Sequence, residues 1–184
     1  MSVMTINGGT GDCYADEVYF QGAPAPTEMQ LAGTSTAVNM QVWNWIPFVV
    51  NLPQGLQIIS ATVYWTASRS RSDGCATKIG CEDADNPSAP TSKADISGRV
   101  LTSSYITASL AAYTAGVEYS YDVTGAVQEV LNRAGWAYGN TLAVLCDNTP
   151  GLGRRYIAAA ENTTYDGPRL AITYDAFRGG GVWF

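Results

Sequence analysis

Apolar and polar residues alternate along several short stretches of the chain, most clearly in residues 57–67. A period of two places successive side chains on opposite faces of a β-strand, so this stretch predicts a strand with one buried and one solvated face. The predicted buried face carries Ile59, Ala61, Val63 and Trp65, and the predicted solvated face carries Ser60, Thr62, Tyr64 and Thr66.

Further stretches rich in β-branched and aromatic residues also predict strands. They are residues 40–51, 141–146 and 169–174, with a weaker prediction for residues 156–160. In the stretch 169–174 the inward positions are Leu170, Ile172 and Tyr174. We expect Val63 and Leu170 to be buried on facing sheets.

One helix is predicted over residues 124–134, because its apolar residues recur at spacings of three and four. These residues are Val127, Val130, Leu131 and Ala134. Asp122 or Thr124 can cap its start, and Gly135 is a natural stop after its end. Arg133 in the last turn suits the negative end of the helix dipole. We expect this helix to close one open end of the sheet structure.

Turn-forming residues recur between the predicted strands, as in Asp73-Gly74 and Asn86-Pro87. Short strands separated by frequent turns are typical of an all-β sandwich. We expect residues 12–174 to form this sandwich and residues 1–11 to form a polar, Gly-rich N-terminal arm. Residues 175–184 are predicted to be a C-terminal arm. There, three glycines precede an apolar tip that we expect to be an assembly interface with another chain, formed by Val182, Trp183 and Phe184.

Composition and charge narrow the function. The chain of 184 residues carries a net charge of −6, so it lacks the basic surface that nucleic-acid binding needs. It contains no histidine, which excludes Ser-His-Asp and Cys-His nucleophile systems and zinc sites that need imidazole. No stretch approaches the ~20 apolar residues that span a bilayer. The N-terminus has no secretory signal pattern, so we expect synthesis in the cytoplasm without a signal peptide.

Catalysis is not predicted. Glu129 and Glu161 are the only pair considered as an acid and a base for glycoside cleavage, and nothing in the sequence brings them to the separation that this reaction requires. The sequence therefore predicts no catalytic residue, no cofactor-binding residue and no enzymatic activity.

Four cysteines, Cys13, Cys75, Cys81 and Cys146, are scattered along the chain. Cys75 and Cys81 could bridge a hairpin in an oxidising compartment. The alternative, which we favour, is four buried thiols that behave as small hydrophobic side chains.

An acidic segment offers oxygen ligands for a hard cation such as calcium, through Glu82, Asp83 and Asp85. Its spacing does not match the twelve-residue EF-hand loop, and a solvated turn with Asx hydrogen bonds explains the same residues. Calcium is therefore retained as a candidate ligand beside the turn interpretation, which we favour.

Several aromatic residues could stack on sugar rings, and the candidates are Trp43, Trp45 and Tyr105. Aromatic residues on alternating strands more often lie in a core or an interface. A glycan is therefore a candidate partner beside the core interpretation, which we favour.

A series of motifs resembles one group of domains. They are PQGLQIISATVYW at 53–65, EDADNPSAP at 82–90, YDVT at 121–124, GAVQEVLNRAGW at 125–136, GNTLAV at 139–144, RRY at 154–156 and PRLAITY at 168–174. Their order and spacing resemble DNRLRE-type and carbohydrate-binding-module-like jelly rolls, in the version found in structural proteins of tailed-bacteriophage virions.

The resemblance implies a jelly-roll-like antiparallel β-sandwich with one short helix. It also implies a non-enzymatic virion protein, either a capsid decoration (cement) protein or a tail or fibre module. Its partners would be other virion proteins and further copies of itself, with a trimer as the first expectation. The alternative implied by the same resemblance is a carbohydrate-binding module or a receptor-binding adhesin domain.

Overall fold

The computed structural model describes residues 1–16, 20–22, 26–32, 41–147 and 153–175. Strands account for most of the regular structure in these ranges, and each expected strand is present within a few residues of its predicted bounds. The elements are β1 (Ser2–Asn7), β2 (Cys13–Asp16), β3 (Phe20–Gln21), β4 (Glu28–Ala32), β5 (Val42–Val49), β6 (Ile58–Thr66), β7 (Cys75–Cys81), α1 (Lys93–Ser97), β8 (Ile106–Leu110), β9 (Glu118–Asp122), α2 (Thr124–Leu131), β10 (Thr141–Asp147), β11 (Arg155–Ala158) and β12 (Arg169–Tyr174).

The strands form two main antiparallel sheets that pack as a sandwich. One sheet has the order β1-β12-β6-β9, and the other has the order β3-β2-β5-β10-β7-β8. A small third sheet pairs β11 with β4. The expectation of an all-β sandwich with a short helix is confirmed, and α1 is an additional helix of five residues.

The main core lies between the two large sheets. Ile46 and Phe48 of β5 contribute to it from one side, and Val63 and Leu170 contribute from the other. Val63 and Leu170 are both fully buried, as expected, but they are direct cross-strand partners in the same sheet. The expectation that they face each other across the sandwich is therefore wrong.

The buried face of β6 differs from the sequence prediction at one residue. Ala61, Val63 and Trp65 are fully buried, whereas Ile59 is 44% exposed and Ile58 is buried instead. The register with β12 shifts at this point, since Thr173 pairs with Ser60 and Tyr174 pairs with Ile58. Such a bulge leaves one residue unpaired, and the side chains beyond it point to the opposite face of the sheet.

Residues 2–7 are part of the sandwich, so the prediction of an N-terminal arm over residues 1–11 is wrong. Met4 and Ile6 pack against the main core, and β1 pairs with β12 from Ser2 to Asn7. The alternation of apolar residues gives this segment a face that the core can bury.

Helix α2 begins at the predicted residue and ends earlier, but Val123 occupies the N-cap position, so the prediction that Asp122 or Thr124 caps the helix is wrong. Asp122 accepts hydrogen bonds from the amide of Thr124 at 2.9 Å and from its hydroxyl at 2.6 Å, which lowers the pKa of Asp122. The helix ends at Leu131, and Ala134 is exposed rather than buried. It contacts β6 of one sheet and β7 of the other. In the described ranges neither helix is long and apolar enough to cross a membrane.

A second apolar cluster covers the outer face of the six-stranded sheet. Trp45 and Leu145 are cross-strand partners on this face, with Cys13 beside Trp45. Ile96 of α1 packs onto them and is 1% exposed. Ser92 caps α1 by accepting a hydrogen bond from the amide of Asp95 at 3.1 Å. Both faces of this sheet are therefore partly buried.

All four cysteines are free thiols. Cys75 and Cys81 occupy the two ends of β7, and a strand extends by about 3.3 Å per residue, so the alternative of a bridge between them is wrong. Burial raises the pKa of Cys13 to about 12 and raises the pKa values of Cys81 and Cys146 further. The interpretation as neutral, mostly buried side chains is confirmed.

Candidate functional site

Glu82, the first of the predicted calcium ligands, is buried beside the second apolar cluster. One carboxylate oxygen accepts a hydrogen bond from the indole of Trp45 at 2.8 Å. The other oxygen accepts from Arg99 at 2.7 Å, and Arg99 also pairs with Asp95. A buried carboxylate needs such partners because desolvation of an unpaired charge is costly. The contacts of Glu82 therefore serve the packing of α1 on the sheet.

Asp83 and Asp85, the other two predicted ligands, both bind Arg133. Its Nε donates to Asp85 at 2.7 Å, and its Nη1 donates to Asp83. Asn140 donates to the carbonyl of Asp85 at 3.0 Å. Arg133 thus pairs with the acidic loop and not with the carbonyls at the end of the helix. In the described ranges no three Cys, Asp or Glu side chains converge on one point as metal ligands do. The calcium site stays a prediction.

The predicted sugar-stacking residues are not exposed together. Trp45 is 2% exposed because α1 covers it, and Trp43 is half-buried at the margin of the same cluster. Tyr105 is 41% exposed, and the Lys78 ammonium lies 5.1 Å from the centre of its ring. Trp45 therefore cannot contribute to a surface platform in this conformation, and Tyr105 is the most accessible of the three.

The two carboxylates considered for catalysis have different partners. Glu129 accepts hydrogen bonds from the amide of Ser103 at 2.7 Å, from its hydroxyl at 2.8 Å and from the amide of Ser104 at 3.0 Å. Burial raises its pKa, but these bonds outweigh that effect and lower it overall. Glu161 lies beside Asp12. Glu129 thus holds Ser103 and Ser104, in the segment before β8, against α2 through hydrogen bonds.

The predicted apolar tip, Val182, Trp183 and Phe184, lies outside the described residues. Its function as an assembly interface stays a prediction.

An exposed edge strand is a feature that the sequence prediction missed. β1 is the outermost strand of its sheet, and no described strand pairs with its second side. Val3 is 68% exposed, and the adjacent Met1 is 75% exposed. β1 carries no charged side chain, proline or glycine. Natural edge strands usually carry such residues because they prevent pairing with other chains.

The other edge strands of the two large sheets are short or carry polar or charged exposed side chains. β9 carries exposed Glu118 and Asp122, and β3 is two residues long. The exposed side chains of β8 are Thr107 and Ser109, which are polar. Among the described edges, β1 is thus the one that combines length, absence of charge and an exposed apolar side chain.

A cluster of arginines surrounds Tyr156 at the start of β11. The guanidinium carbons of Arg69 and Arg71 lie 4.6 Å and 5.7 Å from the centre of its ring. Arg154 donates to its hydroxyl at 3.2 Å. Arg69 also binds the Glu28 carboxylate through Nε at 2.9 Å. Two pairs of closely spaced arginines in the sequence indicate this positive patch. They are Arg69 with Arg71 and Arg154 with Arg155.

No protein-family model matches the chain, and no curated protein matches it. The resemblance to DNRLRE-type and carbohydrate-binding-module-like domains therefore rests on its motifs and stays a prediction.

Proposed function

We propose that this chain is a non-enzymatic structural protein that acts through protein–protein assembly, and that β1 forms its assembly contact. The observation that supports this proposal most directly is the uncharged edge strand β1, on which the side chain of Val3 is exposed. A strand added to an open edge gains main-chain hydrogen bonds along its whole length. The occupant that we propose is β1 of a second copy of the same chain.

Two β1 strands pairing antiparallel would join the two four-stranded sheets across a twofold axis. A twofold contact uses the same surface on both copies and closes on itself. This geometry favours a dimer over the trimer expected from the resemblance. The net charge of −6 on each copy opposes association, so added salt would strengthen it through screening.

We further propose that the assembly is the virion of a tailed bacteriophage, with the chain as a capsid decoration protein or a tail or fibre module. Support comes from the motifs at residues 121–144 and 168–174 and from the uncharged edge of β1. The carbohydrate-binding or adhesin alternative has less support, because α1 covers Trp45, one of its three candidate residues. Detection of the chain by mass spectrometry in purified phage particles tests the virion proposal directly.

The edge contact predicts that Val3→Lys weakens self-association. A lysine on the exposed face of β1 places like charges near each other when two β1 strands pair, and lysine is a common protecting residue of natural edges. Sedimentation velocity at tens of micromolar protein should show dimers for the wild-type chain. The variant should be mostly monomeric, with its melting temperature nearly unchanged because Val3 lies outside the core.

Thr107→Lys on β8 is the matched control, since it adds the same charge to another edge strand. It should leave the dimer intact. A wild-type chain that stays monomeric at high salt, or a Thr107→Lys variant that dissociates as fully as Val3→Lys, would contradict pairing through β1.

A further inference from the structure

Two acidic side chains from distant parts of the chain lie against each other. Asp12 precedes β2 and is 0% exposed, and Glu161 follows β11 with its carboxyl within hydrogen-bonding reach of Asp12. Asp12 Oδ2 accepts a hydrogen bond from the amide of Ala160 at 2.9 Å. Asp12 Oδ1 and Glu161 Oε2 are buried, and no described group donates a hydrogen bond to either.

No described cation pairs with either carboxyl. The nearest titratable group along the chain is the thiol of Cys13, which Arg99 and Asp95 of the α1 region also influence. Arg99 is already paired with Glu82 and Asp95.

On the other side, the exposed Asp166 and the half-buried Arg169 lie near Ala160, and Arg169 binds Glu118 through two hydrogen bonds. Two adjacent carboxylates without a cation would repel each other, and burial would leave that of Asp12 desolvated.

We propose that Asp12 holds a proton in the folded protein and shares it with Glu161 in a hydrogen bond, so that the contact between their two chain segments depends on pH. A single proton supplies the one donor that this pair lacks. The hydroxyl of one carboxyl donates to the facing oxygen of the other, and both oxygens without a partner are then satisfied. A pair of carboxyls that share a site commonly holds one proton in this way.

The direction of the pH dependence follows from the burial. Desolvation, reinforced by the nearby Glu161, raises the pKa of Asp12 to about 7 from its usual value of 3.8. The folded pKa lies above the unfolded value, so the stabilisation is complete in acid and is lost as the pH rises to about 7. This direction is opposite to that of Glu129, whose pKa is lowered.

The pair lies beside an open cleft of about 340 Å³. Ala160, which holds Asp12 through its amide, also lines this cleft together with Asn7, Gly8 and Gly167. Loss of the proton places two like charges between the segment before β2 and the turn after β11. The wall of the cleft formed by that turn therefore loosens as the pH approaches neutrality.

The chain contains no histidine, so no imidazole titration overlaps that of Asp12 between pH 5 and pH 7. Urea unfolding of the wild-type chain should show an equilibrium constant of unfolding that rises by up to about tenfold per pH unit in this range. Asp12→Asn and Glu161→Gln each supply a permanent amide donor, so both variants should have a flat profile. Glu129→Gln, the control at another carboxylate, should keep the wild-type slope.

The wild-type chain alone provides a second measurement. Its infrared spectrum should contain the carbonyl band of a protonated carboxylic acid at pH 6, and this band should weaken as the pH rises through 7 and be lost by about pH 9. A wild-type profile that is flat between pH 5 and pH 7 would overturn the shared proton, as would a slope that persists in both Asp12→Asn and Glu161→Gln. Calcium that raises the melting temperature at pH 8 in the wild type and not in Glu161→Gln would show a bound cation instead.

Discussion

At the scale of single residues, the buried side chain of Arg155 holds three separate segments of the described chain together through hydrogen bonds. Its side chain donates to the carbonyls of Ala111 at 2.8 Å, Arg154 at 2.7 Å and Leu110 at 3.1 Å, and also to that of Asp73. Arg155 is 0% exposed, and no described carboxylate pairs with it. The planar guanidinium presents several donors at fixed angles, so one side chain satisfies carbonyls from three parts of the chain.

Arg155→Met should therefore destabilise the fold strongly. It removes the donor from four carbonyls, of which that of Leu110 is buried, and an unsatisfied buried acceptor costs about 1–3 kcal/mol. We expect a loss of roughly 3 kcal/mol or more in the free energy of unfolding, measured by urea denaturation. Arg71→Met is the matched control on the surface and should cost less than about 1 kcal/mol. Equal losses in the two variants would contradict the structural role of Arg155.

At the scale of elements, the acidic loop docks on the segment that follows α2. Arg133 binds Asp83 and Asp85, and Gly135 lies directly against the Asp85 carboxylate. A Cβ atom at Gly135 would collide with that carboxylate. Gly135 does not end the helix, which already stops at Leu131. It is required because the loop approaches its backbone closely.

Gly135→Ala should separate the acidic loop from the end of α2. The displaced carboxylate weakens its pairing with Arg133, and we expect a loss of about 1–2 kcal/mol, measured by thermal unfolding. Gly74→Ala is the matched control, since nothing lies within 4 Å of a Cβ atom at Gly74. It should be neutral within about 0.5 kcal/mol. A neutral Gly135→Ala would show that the loop moves freely and that the close approach is not structural.

At the scale of the whole molecule, the sandwich depends on the inward face of β6, which supplies the centre of the main core. Trp65 is fully buried there, and its indole donates to the hydroxyl of Tyr113 at 3.0 Å. That hydroxyl also bonds to Tyr121 of β9 at 2.9 Å. Burial is the leading cause that raises the pKa of Tyr113, so this phenol stays neutral. Polar groups of the aromatic core are thereby satisfied without water.

Val63→Ala should cost about 2–3 kcal/mol in the free energy of unfolding, because it leaves a cavity in this core. Ile59→Ala is the matched control on the same strand and should cost about 1 kcal/mol or less, since the bulge turns Ile59 towards solvent. Chemical denaturation of both variants compares them directly. A larger loss for Ile59→Ala than for Val63→Ala would contradict the observed facing of β6.

The sequence by itself determined the fold class, the strand positions and the start of α2. These features depend on local alternation and on short-range contacts such as those between Asp122 and Thr124, which act between neighbours in the chain. Sequence alone also placed Leu170 and Ile172 inward correctly, because the bulge lies beyond them. The candidate site was predicted less well. The burial of Trp45 and the pairing of Glu82 both depend on the α1 region, and no periodic pattern in the sequence predicts that helix.

Tertiary structure decided what depends on contacts between distant residues. Asp12 and Ala160 are 148 positions apart, so no local pattern could place the Glu161 carboxyl beside Asp12. The bulge at Ile59 arises from the register between two strands, and a one-residue shift reverses every facing beyond it. Within the described part of the chain, the edge of β1 is open because only β12 pairs with it, on one side. Local pattern selects an element, whereas packing selects which of its groups remain exposed and available for function.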